Sequence, residues 1–139
     1  MRLKVEDAVD EELFSFFWVN GSLRIPPGQE AHVEESSQRV NRYVGDLDGQ
    51  LMLHTIGPHM HSLGSKLTST LVREDGSEDC MLDVPQWDFN WQMSYDFTEP
   101  VAISPQDTIN LTCTFDSSDR NQFTRWGDGT GDEMCLTTM

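Results

Sequence analysis

Apolar and polar residues alternate along most of this chain with a period of two, the pattern of β-strands with one buried face. The run ELFSFFWV, from Glu12 to Val19, is rich in aromatic and branched residues and predicts a first strand. A turn at Asn20-Gly21 follows, and Pro26 and Pro27 keep the next stretch out of a central strand position. Further strands are expected from about His32 to Val40, and from Leu51 to His61 with an interruption at Gly57-Pro58. From Ser65 to Arg73, Leu67, Ser69 and Leu71 share one face, and Glu74-Asp75-Gly76-Ser77 is a hairpin turn into Cys80–Val84. The longest unbroken alternation is WDFNWQMSYDF, residues 87–97, which predicts a half-buried strand with its aromatic face in the core. Thr108–Phe115 is another clean strand, and Glu133–Met139 a closing one. Between them, Asp116 to Asp132 is a long polar loop, a length more common at functional sites than elsewhere. No long helix and no repeat is visible. The expected fold is all-β, a two-sheet β-sandwich or jelly roll.

A chain of 139 residues makes one domain and can bury a real core, with four Trp and seven Phe to fill it. The formal net charge of -15 sets it against nucleic acid and anionic membranes, and no basic stripe offsets this. No apolar run approaches the roughly 20 residues of a membrane helix. The opening MRLKVEDAVDEE lacks the apolar stretch of a signal peptide, so the chain is expected to be cytoplasmic or a piece of something longer. Three cysteines, Cys80, Cys113 and Cys135, permit three different single disulfides and leave one thiol over. The lack of a CxxC pair argues against structural zinc and thioredoxin chemistry.

The chemistry concentrates in two short segments, His59-Met60-His61 and Asp132-Glu133-Met134-Cys135. Histidines at i and i+2 of a strand face one way, with Met60 facing the other. Two imidazoles plus the Met134 thioether would form a mixed nitrogen and sulfur site that suits copper as Cu(I) and Cu(II). Each piece has a plainer reading: surface or hydrogen-bonded histidines, and methionine as core filler. His32 and His54 are the remaining histidines. The DGTGDE segment, 128–133, fails as a calcium loop because Glu133 stands where a glycine is needed. No nucleophile elbow, P-loop or dinucleotide fingerprint is present.

Taken together, HMHSLG (59–64), LTCTFD (111–116) and DEMC (132–135) resemble the C-terminal domain of the copper type II, ascorbate-dependent monooxygenases, the family of peptidylglycine alpha-hydroxylating monooxygenase and dopamine beta-monooxygenase. The resemblance runs over residues 15–139 and leaves 1–14 as an N-terminal extension or linker. It implies a jelly-roll β-sandwich with one copper ion on His59, His61 and Met134, a Cys113–Cys135 disulfide and an unpaired Cys80. The implied activity is hydroxylation of a C–H bond with O2, with electrons from ascorbate or another reductant, on a small-molecule or peptide substrate. A disulfide implies a secreted or periplasmic setting. Family enzymes carry a second copper in an N-terminal domain, and four histidines cannot supply both sites, so such a domain or a separate redox partner is expected. Where the peptide-amidating enzyme has an arginine before the histidine pair, and a tyrosine and asparagine after the methionine-cysteine step, this chain has Ile56-Gly57-Pro58 and Leu136-Thr137-Thr138. Peptide-glycine specificity is therefore not implied. The competing readings are a copper carrier or sensor without catalysis, and a partner-binding β-sandwich with a degenerate site.

Overall fold

A computed structural model describes residues 8, 13–45 and 49–139. The described chain is almost entirely β, with two four-stranded antiparallel sheets. One sheet is ordered β1 (Phe17–Val19), β10 (Cys135–Thr138), β4 (Leu51–Met60), β7 (Tyr95–Ile103). The other is ordered β3 (His32–Arg39), β8 (Thr108–Phe115), β5 (Gly64–Val72), β6 (Glu78–Val84). A small third pair joins β2 (Arg24–Ile25) to β9 (Thr124–Arg125), and α1 (Asn41–Val44) is a single helical turn. This arrangement is that of a β-sandwich with one shared core.

The core follows from the alternation. On β8 the inward residues Ile109, Leu111, Cys113 and Phe115 are all fully buried, between Leu67, Ser69 and Leu71 of β5 on one side and β3 on the other. Trp18, Ile56, Met60 and Cys135 close the same core from the other sheet. The Cys113–Cys135 disulfide, with Cα atoms 6.0 Å apart, runs from β8 to β10 and so fastens one sheet to the other. Cys80 is free and exposed. The Asp75-Gly76 turn forms as expected, with Gly76 at a positive φ of 84°.

Five expectations need correction. The segment 87–97 is not a strand until Tyr95. Asp88 breaks the alternation: its Oδ1 accepts Asn90 N–H at 2.8 Å and its carbonyl accepts Trp91 N–H at 2.9 Å, so the chain turns at Phe89-Asn90. Trp87 is buried and Phe97, already in β7, packs half-buried against the core, while Phe89, Trp91 and Met93 stay exposed. Strand β4 runs straight through Gly57-Pro58. Its partner β7 stops with Tyr95 opposite Ile56, so beyond that point β4 pairs on one side only, which a proline tolerates. The irregularity in β4 lies earlier, between Leu53 and Thr55. At the N-terminus, strand pairing begins at Phe17. Leu13 to Ser15 are exposed without a strand neighbour, Glu12 lies outside the described residues, and so does most of the expected 1–14 extension. The closing strand starts at Cys135, since the main chain of Glu133 is drawn back to the preceding loop through bonds with Arg125 and Gly127. That loop is itself interrupted by β9.

Candidate metal centre

The pairing of β4 with β10 brings the two chemical segments together. Cys135 lies opposite Met60, and Leu136 opposite His59. Directly opposed residues share a face. Cys135 and Met60 therefore both point into the core, where both are fully buried, and His59 and Leu136 share the outer face. The register ends at the Cys135 and Met60 pair, and Met134 and His61 are the next residues along the two chains. His59 and Met134 line one cleft of about 440 Å³. The His59 and His61 rings stand 5.3 Å apart between centroids, nearly perpendicular at 85°.

Each imidazole is held by its Nδ1. His61 Nδ1 lies 3.0 Å from the Asp132 carbonyl oxygen, which can only accept, so Nδ1 donates and in the neutral ring the lone pair is on Nε2. At His59 the same conclusion takes two steps. The Phe89 carbonyl accepts from Gln92 Nε2 at 2.8 Å, which turns Gln92 Oε1 toward His59 Nδ1 at 2.6 Å. Oε1 accepts, so His59 also donates from Nδ1 and leaves Nε2 free. This arrangement, with one ring nitrogen bonded to an oxygen and the other available, is how protein imidazoles are set up as metal ligands.

Glu133 ties these parts together, and sequence reasoning missed it. Its side chain is fully buried. Its two carboxylate oxygens accept the backbone N–H of His61 at 2.7 Å, of Leu63 at 2.6 Å and of Met134 at 3.0 Å. One side chain thus positions the backbone at His61 and at Met134. Its position beside Met134 was the available signal, though nothing local in the sequence says that an acidic residue there is buried. Gln92 and Trp87 were missed because the segment 87–97 reads as a strand. Trp87 Nε1 donates to the His61 carbonyl at 3.2 Å, and its backbone N–H to Ser65 at 2.9 Å. Gly64 permits this buttress: an added Cβ would stand 2.8 Å from Met60 and 2.9 Å from Trp87. The glycines of WGDGTGDE have a similar use. A Cβ at Gly129 would stand 2.8 Å from Asp132 Oδ2, which instead accepts Gly129 N–H at 3.2 Å. The Asp132 side chain is folded into its own turn while its carbonyl serves His61.

His54 lines a different cleft, with Phe14, Leu51 and Met139, and His32 pairs with Glu34 at 2.9 Å. Neither joins His59 and His61. Among the described residues no three of His, Cys, Asp and Glu converge as a metal site, so a centre here depends on the Met134 thioether.

The model for the copper type II ascorbate-dependent monooxygenase C-terminal domain matches residues 15–139. Among curated relatives, DBH-like monooxygenase protein 2 of Mus musculus is 29% identical over 116 residues, covering 81% of this chain and 19% of that protein. Dopamine beta-hydroxylase of Canis lupus familiaris is 30% identical over 78 residues, covering 56% of this chain and 12% of that protein. DBH-like monooxygenase protein 1 of Gallus gallus is 25% identical over 126 residues, covering 88% and 20% respectively. The chain spans about a fifth or less of the length of these three relatives. With HMHSLG and DEMC brought side by side by the pairing of β4 with β10, and the family model matching residues 15–139, the chain belongs to the copper type II ascorbate-dependent monooxygenase family, as its C-terminal domain.

Proposed function

We propose that this domain holds one copper ion on His59 Nε2, His61 Nε2 and the Met134 thioether, and is the catalytic half of a monooxygenase that hydroxylates a C–H bond. The observation that carries the reading is the pair of Nδ1 bonds, from His61 to the Asp132 carbonyl and from His59 to Gln92. They leave both Nε2 atoms as lone-pair donors. The donor set fits the ion. Two imidazoles sharing one metal at about 2.0 Å from each nitrogen have centroids roughly 5 Å apart, and the observed separation is 5.3 Å. A thioether beside two imidazoles suits copper and favours its reduced form, whereas calcium and magnesium call for oxygen ligands.

When bound, copper would supply the one-electron and O2 chemistry of the hydroxylation. The protein's own residues do the rest. His59 and His61 are aimed by carbonyl oxygens, Glu133 fixes the backbone that carries His61 and Met134, and the cleft beside His59 and Met134 offers room for a substrate. Electrons would come from ascorbate or another reductant, through an N-terminal copper domain or a separate redox partner. The small share of the curated relatives that this chain covers supports such a division of labour. The Cys113–Cys135 bridge supports a secreted or periplasmic setting. The strand order supports the jelly-roll type: counting the eight longer strands in chain order, the sheets read first-eighth-third-sixth and second-seventh-fourth-fifth, as in a pair of interleaved Greek keys. We take residues 15–139 as the domain and 1–14 as the segment leading into it.

The test is a Cu(I) competition titration of the wild-type chain and a His59→Ala/His61→Ala double variant. One equivalent is expected in the first and none of comparable affinity in the second. Equal affinity in both would overturn the assignment.

A further inference from the structure

We propose that the cleft beside His59 takes a neutral, mostly apolar small molecule carrying one hydrogen-bond acceptor, rather than a carboxylate or an amine. The proposal rests on the copper reading, because His59 and Met134 form one wall of this cleft, and it adds the class of substrate. At about 440 Å³ the cleft lies within the usual range for small-ligand sites. None of its lining residues is charged, although charged residues make up 24% of the chain. Leu136 and Pro58 contribute apolar surface, and two large side chains at its edge, Phe17 and Met93, are 58% and 49% exposed. A ligand seated there would take that apolar surface out of water, which is favourable in proportion to area.

The polar groups are few and uncharged. Gly57 forms part of the lining, and a Cβ there would stand 2.5 Å from Thr138 Oγ1 and 3.0 Å from Ser94 Oγ. The absence of a side chain at Gly57 therefore lets two hydroxyls approach it. Thr138 spends its proton on the Gly57 carbonyl at 3.3 Å. The exposed Ser94 hydroxyl is left as a donor for a carbonyl, ether or hydroxyl oxygen of the ligand.

Charge decides the class. Away from the His59 and Met134 wall, where copper would sit, a carboxylate would find no arginine or lysine in the cleft, and the net charge of -15 repels it on approach. An ammonium would be drawn by that field but would meet no carboxylate once seated. Burying either one unpaired costs more than the long-range field returns, since screening removes most of that field beyond about 10 Å at ordinary salt. A neutral ligand escapes both penalties.

Three probes that share a benzyl group separate these cases on the metal-free full chain: phenylacetamide, phenylacetate and phenethylamine, followed by amide chemical-shift titration. Phenylacetamide is expected to bind at least about tenfold tighter than either ion, a gap of roughly 1.4 kcal/mol, with the largest shifts at Met93, Ser94 and Leu136. A Met93→Lys variant, altered at a residue 49% exposed, should turn the preference toward phenylacetate. Either ion binding as tightly as the amide, no binding of the amide, or a preference unchanged by Met93→Lys overturns the proposal. Because no metal is added, a failed copper titration leaves these results standing. Failure here with copper binding intact removes the substrate class alone.

Discussion

Two stretches of this chain alternate equally well and end differently. TINLTCTF, on β8, puts Ile109, Leu111, Cys113 and Phe115 into the core with no exposed surface. WDFNWQMSYDF buries only Trp87, has Phe97 half-buried against the core and leaves Trp91 72% exposed. The difference lies in the neighbours. β8 is flanked along its whole length by β3 and β5, so its backbone groups are satisfied wherever its alternation continues. Residues 87–94 have no such flanking strands, and Asp88 turns the chain instead. The aromatic and sulfur side chains of that loop then lie around the histidine face: Phe89 stands 6.0 Å from His61 between ring centroids, and Gln92 holds His59. Alternation thus marks side chains that prefer to leave water, and a functional face can use them as well as a core can.

The contrast can be broken most directly by truncation. Leu111→Ala should cost about 2–5 kcal/mol, and Trp91→Ala less than about 0.5 kcal/mol, both read from urea unfolding. A Trp91→Ala cost in the range of Leu111→Ala would mean that the loop is core after all. Replacing both Cys113 and Cys135 with serine tests the fastening of the sheets, with an expected loss of about 2–4 kcal/mol and an unchanged count of one free thiol per chain without reductant. Glu133→Gln retains shape but puts an amide where an oxygen accepts backbone N–H. Each buried amide left without a partner costs about 1–3 kcal/mol, and Cu(I) affinity should fall with stability. Gln92→Leu should separate the two: unfolding nearly unchanged, and copper affinity down by about 10–100-fold, the usual effect of removing a partner that orients a ligand. Unaltered affinity would show that the loop does not serve the site.

The smallest effect is at the surface. The Asp75 carboxyl is held below its ordinary range by the Ser77 side chain and backbone, and Asp116 likewise by Ser118. A lowered folded-state value means stability that is present above the unfolded value of about 3.9 and lost as pH falls through the folded one. Both groups are exposed, so an Asp75→Asn/Asp116→Asn variant should lose only slightly less stability than wild type between about pH 5 and 2. Identical acid profiles would remove these turns from the account of acid unfolding.

Most of the strand plan was legible. His32–Arg39, Gly64–Val72 and Thr108–Phe115 follow from alternation, and the Asp75-Gly76 turn from its residues. The outward aim of His59 and His61, with Met60 inward, followed from the same period. What sequence could not supply is what depends on distant partners. Pro58 is tolerated in β4 because β7 ends opposite Ile56. Met134 reaches the cleft beside His59 because β10 pairs with β4, a contact between distant parts of the chain. Glu133 is buried because three amide groups, two of them about 70 residues away, need an acceptor. A local pattern carries none of this information, since each case is settled by which strand lies alongside.

The central claim is that one copper ion is bound by two imidazoles aimed through Nδ1 and by the Met134 thioether. X-ray absorption at the copper edge of the Cu(I)-loaded chain tests it most directly, comparing wild type with Met134→Ala. The expected result is two nitrogen scatterers and one sulfur scatterer in wild type, the sulfur vanishing and the nitrogens staying in the variant. A wild-type spectrum without sulfur, or a sulfur that survives Met134→Ala, would contradict the claim.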